Sequence, residues 1–119
     1  MIGEIWTYAA TKPSDGTPKV RPILIIGNDA NNQLQYVDIH YVIVSSSDCG
    51  VYDVKIEQNV ATSIGLQRES IIKTTKIFTG AKSKLGVKIA ELPSDKKAEF
   101  ITKYKSYQEY MISKFFSEE

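Results

Sequence analysis

Four consecutive apolar residues, Ile23-Leu24-Ile25-Ile26, constrain this chain more than any other feature. An uninterrupted run of this kind, bounded by Arg21-Pro22 and Gly27-Asn28, reads as a strand buried on both faces rather than an edge. The rest of the chain must therefore supply cover for two sides of a sheet. With 119 residues, 42% of them hydrophobic and 24% charged, it has the means. A domain of this size hides roughly two-thirds of its unfolded surface without needing disulfides or metals.

The flanking sequence supplies more strands. Gly3 to Ala9 is aromatic and β-branched, and reads as a first strand. Thr11 to Lys19 holds Pro13, Gly16 and Pro18 and reads as a loop, as does Gly27 to Asn32. Gln35 to Ser45 is a long strand ending in Ser45-Ser46-Ser47. Val51 to Glu57 alternates apolar and charged residues, which predicts a half-exposed strand forming a hairpin with the previous one. Gln58 to Gly65 reads as a connector that has room for a helical turn. Ser70 to Thr79 is another strand, Gly80 to Gly86 a lysine-containing loop, and Val87 to Leu92 a last short strand.

From Pro93 the period changes. Ser94 is an N-cap, Asp95 suits the positive end of the helix dipole, and no Gly or Pro follows. Ala98, Ile101, Tyr104, Met111 and Phe115 recur at helical spacing, widened by Phe100, Tyr107 and Tyr110. Five or six strands and one terminal amphipathic helix predict a mostly β (α+β) fold, a small partly open barrel. No repeat or linker divides the chain, so one domain over residues 1–119 is expected.

Charge and cysteine content narrow the function. The net charge of +1 is too low for a dedicated duplex binder, yet a protein holding a few nucleotides needs only a local positive groove. The single cysteine, Cys49, allows no intrachain disulfide, suits a reducing compartment and reads as a small packed hydrophobe. One Cys and one His make a structural zinc site improbable. Neither a signal peptide nor an apolar run of roughly 20 residues is evident, so a cytoplasmic protein with no membrane partner is expected.

Gly3-Glu4-Ile5-Trp6, then Arg21-Pro22-Ile23-Leu24-Ile25-Ile26-Gly27-Asn28-Asp29, resemble the opening strand and the R-P-[VI]-L-[VI]-I strand of the MazF/PemK toxins of toxin–antitoxin pairs. Val42 to Ser47, Gly65-Leu66, Ser70 to Lys73, Ile77-Phe78-Thr79 and Lys84-Leu85-Gly86 follow the same family's later rhythm. The resemblance implies an SH3-like barrel, a homodimer, a cognate antitoxin as partner, and metal-independent, cofactor-free cleavage of single-stranded RNA. In that reaction a ribose 2′-hydroxyl attacks the adjacent phosphorus, leaving a cyclic phosphate and a 5′-hydroxyl.

Such chemistry needs a cation aimed at the phosphorane oxygens, and Arg21 is the first candidate because its fork matches two phosphate oxygens. By resemblance, a hydroxyl at the end of the third strand assists; Ser47 is preferred over Ser46. Lys19, Lys73, Thr75 and Thr79 are the candidate RNA contacts. Three departures from the family pattern matter, the first being that the Thr11–Lys19 loop holds only Asp15 where many members carry a Glu. Lys73 and Thr75 stand where some members carry an Arg-x-Asp pair, and Phe78 where an Arg often stands. The general base is therefore unassigned.

Other features keep two readings. His40 sits mid-strand and reads as a satisfied or solvent-facing side chain rather than a base. Trp6, Tyr8 and Phe78 either stack bases or fill the core. Lys73, Lys76, Lys82, Lys84 and Lys88 form either a phosphate-facing patch or a solvated face. The aromatic excess of the last helix suits a dimer contact or an antitoxin-docking surface. A toxin directed at a protein such as gyrase, or a catalytically inactive member of the fold, are the alternatives to the nuclease.

Overall fold

The computed structural model describes residues 1–11, 16, 18–31 and 37–117. Its elements run β1 (Glu4–Thr11), β2 (Pro18–Asn28), β3 (Asp38–Ser45), β4 (Val54–Ile56), α1 (Gln58–Ile64), β5 (Ser70–Ala81), a 3-10 turn (Lys82–Lys84), β6 (Leu85–Glu91) and α2 (Ser94–Ser117). The six strands form one antiparallel sheet in the order β4-β5-β3-β2-β1-β6. It is an open barrel, of the mostly β type expected.

The Ile23–Ile26 run lies in β2, at the centre of the sheet, with material on both faces. On one side Leu24 joins Ile5, Val42, Val44, Val54, Ile56, Ile72 and Phe100 in the main core. On the other, Ile23 and Ile25 join Tyr8 and Ile39 in a smaller cluster, with Trp6, Tyr41 and Leu85 packed against it. The helices lie over the first side. The second is left open enough to hold a groove.

Register shifts in three strand pairs bend the sheet. Ile25 pairs with Tyr41 but Gly27 with His40, so Ile26 is bulged. The β1–β6 register shifts twice. The largest is in β5: Ile43 pairs with Lys73 while Val42 pairs with Ile77, which leaves Thr74, Thr75 and Lys76 extra. Bulges sharpen local twist and bend a strand, and Thr74 is turned inward and fully buried.

Several expectations are corrected. The Val51–Glu57 segment is not a hairpin partner of β3: its three-residue strand β4 pairs with β5, because the 46–53 segment carries the chain past β3 and an edge of β5 is free to receive it. The connector at Gln58 holds a seven-residue helix, closed by Gly65 at φ 101°, whose N–H reaches the Thr62 carbonyl while Leu66 N–H reaches Ala61. β2 begins at Pro18, so Lys19 is a strand residue rather than a loop one, and Arg21 lies within the strand rather than just ahead of it. The rest of the predicted loop, 12–15 and 17, and the predicted strand start at Gln35, lie outside the described residues.

Helix α2 keeps its predicted span but buries a different face. Lys96 and Phe100 point inward and Tyr104 packs on the core, whereas Ala98, Ile101, Met111 and Phe115 are exposed. The rings of Tyr107 and Tyr110 meet Tyr52, and beyond them the helix outruns the sheet and leaves Met111, Ile112, Phe115 and Phe116 exposed. Lys96 Nζ is tied to the Lys55 carbonyl (2.8 Å) and to Glu57 Oε1 (2.6 Å). Burial alone would lower the Lys96 ammonium pKa, but the hydrogen bonds and charges of Glu57 and Glu99 outweigh it and hold it above the usual lysine range. The Lys96 hydrogen bond holds the Glu57 carboxyl below its usual value.

Candidate nucleic-acid interface

The open face of the sheet carries two cavities that share Arg21 and Ile43. Alternation along β2 sends Arg21 and Ile23 to one side and Leu24 to the other. Ile23 pairs with Ile43, so one step further in the same register Arg21 stands level with Ser45 at the end of β3. The cavity there, of about 240 Å³, is lined by Lys19, Val20, Arg21, Pro22, Ile43, Val44, Ser45, Ser46, Arg68 and Ser70. It combines three cations with three hydroxyls.

The adjoining cavity, of about 390 Å³, is lined by Tyr8, Ala9, Arg21, Ile23, Tyr41, Ile43, Phe78, Thr79, Gly80, Ala81 and Lys84. Its floor is aromatic. Tyr8 and Tyr41 lie with ring centroids 4.8 Å apart, and Tyr41 and Phe78 5.7 Å apart at 23°. Burial first, then the charge and hydrogen bond of Tyr8, push the Tyr41 phenol above its usual pKa, so it is a neutral hydrogen-bonding group at neutral pH. Gly80 has no room for a side chain, because a Cβ there would run into the Tyr8 hydroxyl.

Among the described residues, no carboxylate lines either cavity. One continuous groove thus has a cationic, hydroxyl-rich end and an aromatic end, joined at Arg21. That composition suits a polyanion whose units carry flat rings.

The sequence candidates separate on this surface. Arg21, Lys19, Ser46 and Thr79 border the groove; Ser47 and Thr75 do not line it. Ser47 instead borders a neighbouring cavity with Ser46, Asp48, Cys49, Lys55, Glu69 and Ile71, and its hydroxyl accepts a 3.2 Å hydrogen bond from Ser45. Thr79 Oγ1 is hydrogen-bonded to His40 Nδ1 at 2.9 Å. Lys73 donates to Asp53 Oδ2 (2.8 Å) and to the Asp48 carbonyl (2.9 Å), an arrangement that ties the 48–53 segment to β5. Cys49 is exposed rather than packed, because it lies in that segment beyond the end of β3.

Sequence reasoning passed over Arg68, Ser45, Ser70 and Tyr41. A signal for Arg68 existed: the chain has only two arginines, at 21 and 68, against many lysines, and both line the same cavity. Among the described residues no group of three or more His, Cys, Asp or Glu is placed to hold a metal, and no helix is long and apolar enough to cross a membrane.

A family model described as the PemK-like, MazF-like toxin of type II toxin–antitoxin systems matches residues 2–103. The chain belongs to the PemK/MazF-like toxin family. Its fold is similar to that of an endoribonuclease from a Mycobacterial species in complex with its cognate antitoxin, at 18% identity and TM-score 0.67 over 89% of this chain and 91% of that one. Mycobacterium tuberculosis toxin MazF-mt6 is similar at 15% identity and TM-score 0.61, covering 85% and 93%. The MazE–MazF structure from Deinococcus radiodurans gives 17% identity and TM-score 0.62, covering 89% and 91%. No curated protein sequence matches the chain. At these identities the likeness to solved structures is one of fold. The resemblance read from the Gly3–Trp6 and Arg21–Asp29 segments is thereby established as membership of the PemK/MazF-like family.

Proposed function

We propose that this PemK/MazF-like toxin is an endoribonuclease that cleaves single-stranded RNA in the groove centred on Arg21, without a metal. The observation that carries the reading is the convergence of both arginines of the chain, with Lys19 and three serines, on a cavity that no carboxylate lines among the described residues. A phosphodiester brings negative charge, and a site with unopposed guanidinium groups and hydroxyl donors matches it.

In the proposed reaction the ribose 2′-oxygen bonds to phosphorus and the bond from phosphorus to the 5′-oxygen breaks. Solvent water takes the proton from the 2′-hydroxyl and water supplies one to the departing 5′-oxygen. Arg21 stabilises the charge that grows on the non-bridging oxygens, Ser46 supports the same phosphate, and Arg68 and Lys19 hold the strand. Neither carboxylate nor imidazole lines the groove among the described residues, so charge stabilisation carries the rate and a slow enzyme is expected.

The solved relatives include an endoribonuclease with its cognate antitoxin and a MazE–MazF complex. By analogy we propose that an antitoxin silences this chain, and that it works as a homodimer of single-domain subunits in the cytoplasm. Digestion of a long unstructured RNA in EDTA tests the central point. Fragments with 5′-hydroxyl ends at a short recurring sequence are expected, with Arg21→Ala about 10²- to 10³-fold slower. Absence of cutting by folded protein would redirect the reading to a protein-directed toxin or an inactive member.

A further inference from the structure

Tyr8 is buried, Tyr41 is half-buried, and Phe78 is 44% exposed, so the three rings form a short ladder rising from the core to solvent. Phe78 rests on Tyr41 at 23°, close to parallel. A ring laid down in this way has one face covered and leaves the next place in the stack open. An apolar ring of this size on the solvent side of a strand gains nothing by its exposure, and Phe78 is directly opposite Tyr41 in the β3–β5 pairing, so its position is set by the sheet. Gly80, two residues on, leaves room for the Tyr8 hydroxyl. Arg21 and Lys84 border the same cavity as Phe78, which brings cations and an aromatic face within one site.

We propose that Phe78 is a nucleobase platform, stacking one unpaired base of the bound strand while Arg21 holds a nearby phosphate. This deepens the reading of the groove as an RNA site and rests on it. Stacking of this kind is tolerant of sequence, because every base has a π-face, and it is worth about 1–3 kcal/mol per base. Phe78 therefore sets the affinity for bases over sugar-phosphate alone, and Arg21 the affinity for phosphate.

Equilibrium binding of a short 2′-O-methyl oligoribonucleotide, which the 2′-attack cannot cleave, tests this in the full chain. A matched set carries a single abasic residue at each position in turn. Phe78→Leu, which keeps apolar bulk but loses the ring, should bind the intact oligonucleotide about 5- to 150-fold more weakly. Phe78→Tyr should bind as the native chain does, which separates ring loss from misfolding. One abasic position should weaken the native chain by a similar factor and leave it equal to Phe78→Leu. Equal affinities of the native chain and Phe78→Leu for every oligonucleotide would overturn the platform while leaving the nuclease reading intact. Dependence on Phe78 without any RNA cleavage would uphold the platform and remove the nuclease. No binding by the native chain would remove both.

Discussion

Ser46 and Ser47 are adjacent in sequence and share one cavity past the end of β3, but Ser46 also borders the groove and Ser47 does not. Only Ser46 shares a cavity with Arg21. Ser46→Ala should lower kcat for RNA cleavage about 10-fold, the size of one charge-assisted hydrogen bond, and Ser47→Ala should leave it within about twofold. Single-turnover cleavage of a defined RNA distinguishes them, and equal losses would show that the proposed assignment is wrong. Gly80 has a steric role of the same local kind. Gly80→Ala forces the new methyl against Tyr8, so Tyr8 and Tyr41 must shift. Overpacking of this sort costs about 1–3 kcal/mol, which urea unfolding will register. An unchanged midpoint would mean that the ring ladder yields freely.

Among the elements, β5 carries the most unusual geometry and its fastening is testable. Lys73 is the residue of β5 that holds Asp53, whose carboxylate also accepts from Gly50 N–H at 2.8 Å. Asp53 is buried and Lys73 largely so, which puts the pair in the regime where losing one partner strands the other. Lys73→Met should cost about 2–3 kcal/mol, and Asp53→Asn combined with it should recover part of that loss. A double-mutant cycle in urea reads the coupling directly, and additive effects would mean that the two charges do not interact. The same pair explains why Lys73, expected from sequence to touch RNA, is engaged elsewhere. At the far end of the chain, α2 leaves Phe115 81% and Phe116 79% exposed. Their burial needs another molecule, in keeping with the dimer or antitoxin contact proposed.

For the whole molecule, charge placement matters more than charge total. A net +1 conceals a groove bordered by Lys19, Arg21, Arg68 and Lys84. If about four phosphates are neutralised there, the logarithm of single-strand affinity should fall against the logarithm of salt with a slope of about −2 to −3. Arg68→Ala should flatten that slope by about 0.7, and an unaltered slope would place the strand elsewhere. Stability has its own pH signature. The folded-state pKa values of Glu4 and Glu57 are lowered, through Trp6 and Lys96 hydrogen bonds respectively, so their contribution is present above the ordinary carboxylate range and lost as pH falls through the lowered values. Tyr41 and Lys96 are raised, so theirs is present below the ordinary phenol and lysine range and lost as pH rises through the raised values. Thermal midpoints should therefore be level across neutral pH and decline at both extremes.

The sequence by itself determined the elements whose signal is local. The unbroken Ile23–Ile26 run had to be a doubly covered strand, and the segment from Ser94, with no later Gly or Pro, had to form a long helix, of which Ser94 is the first residue rather than the cap. Short-range pattern suffices where periodicity within one segment shows which of its faces must be covered, whatever covers them. The sequence also offered Arg21 as a candidate, through the family resemblance of Arg21-Pro22-Ile23-Leu24 rather than through a local pattern. Pairing was a different matter. That β4 joins β5 and not β3, and that α2 buries Lys96 and Phe100 rather than the Ile101–Phe115 stripe, depends on where the chain returns in space. Arg68 and Tyr41 lie far from Arg21 along the chain and meet it only because β3 lies between β2 and β5. The groove exists because bulges in β2, β5 and β6 curl the sheet. Such register shifts balance hydrogen bonds across strands against packing on both faces, a sum over distant residues that no local window contains.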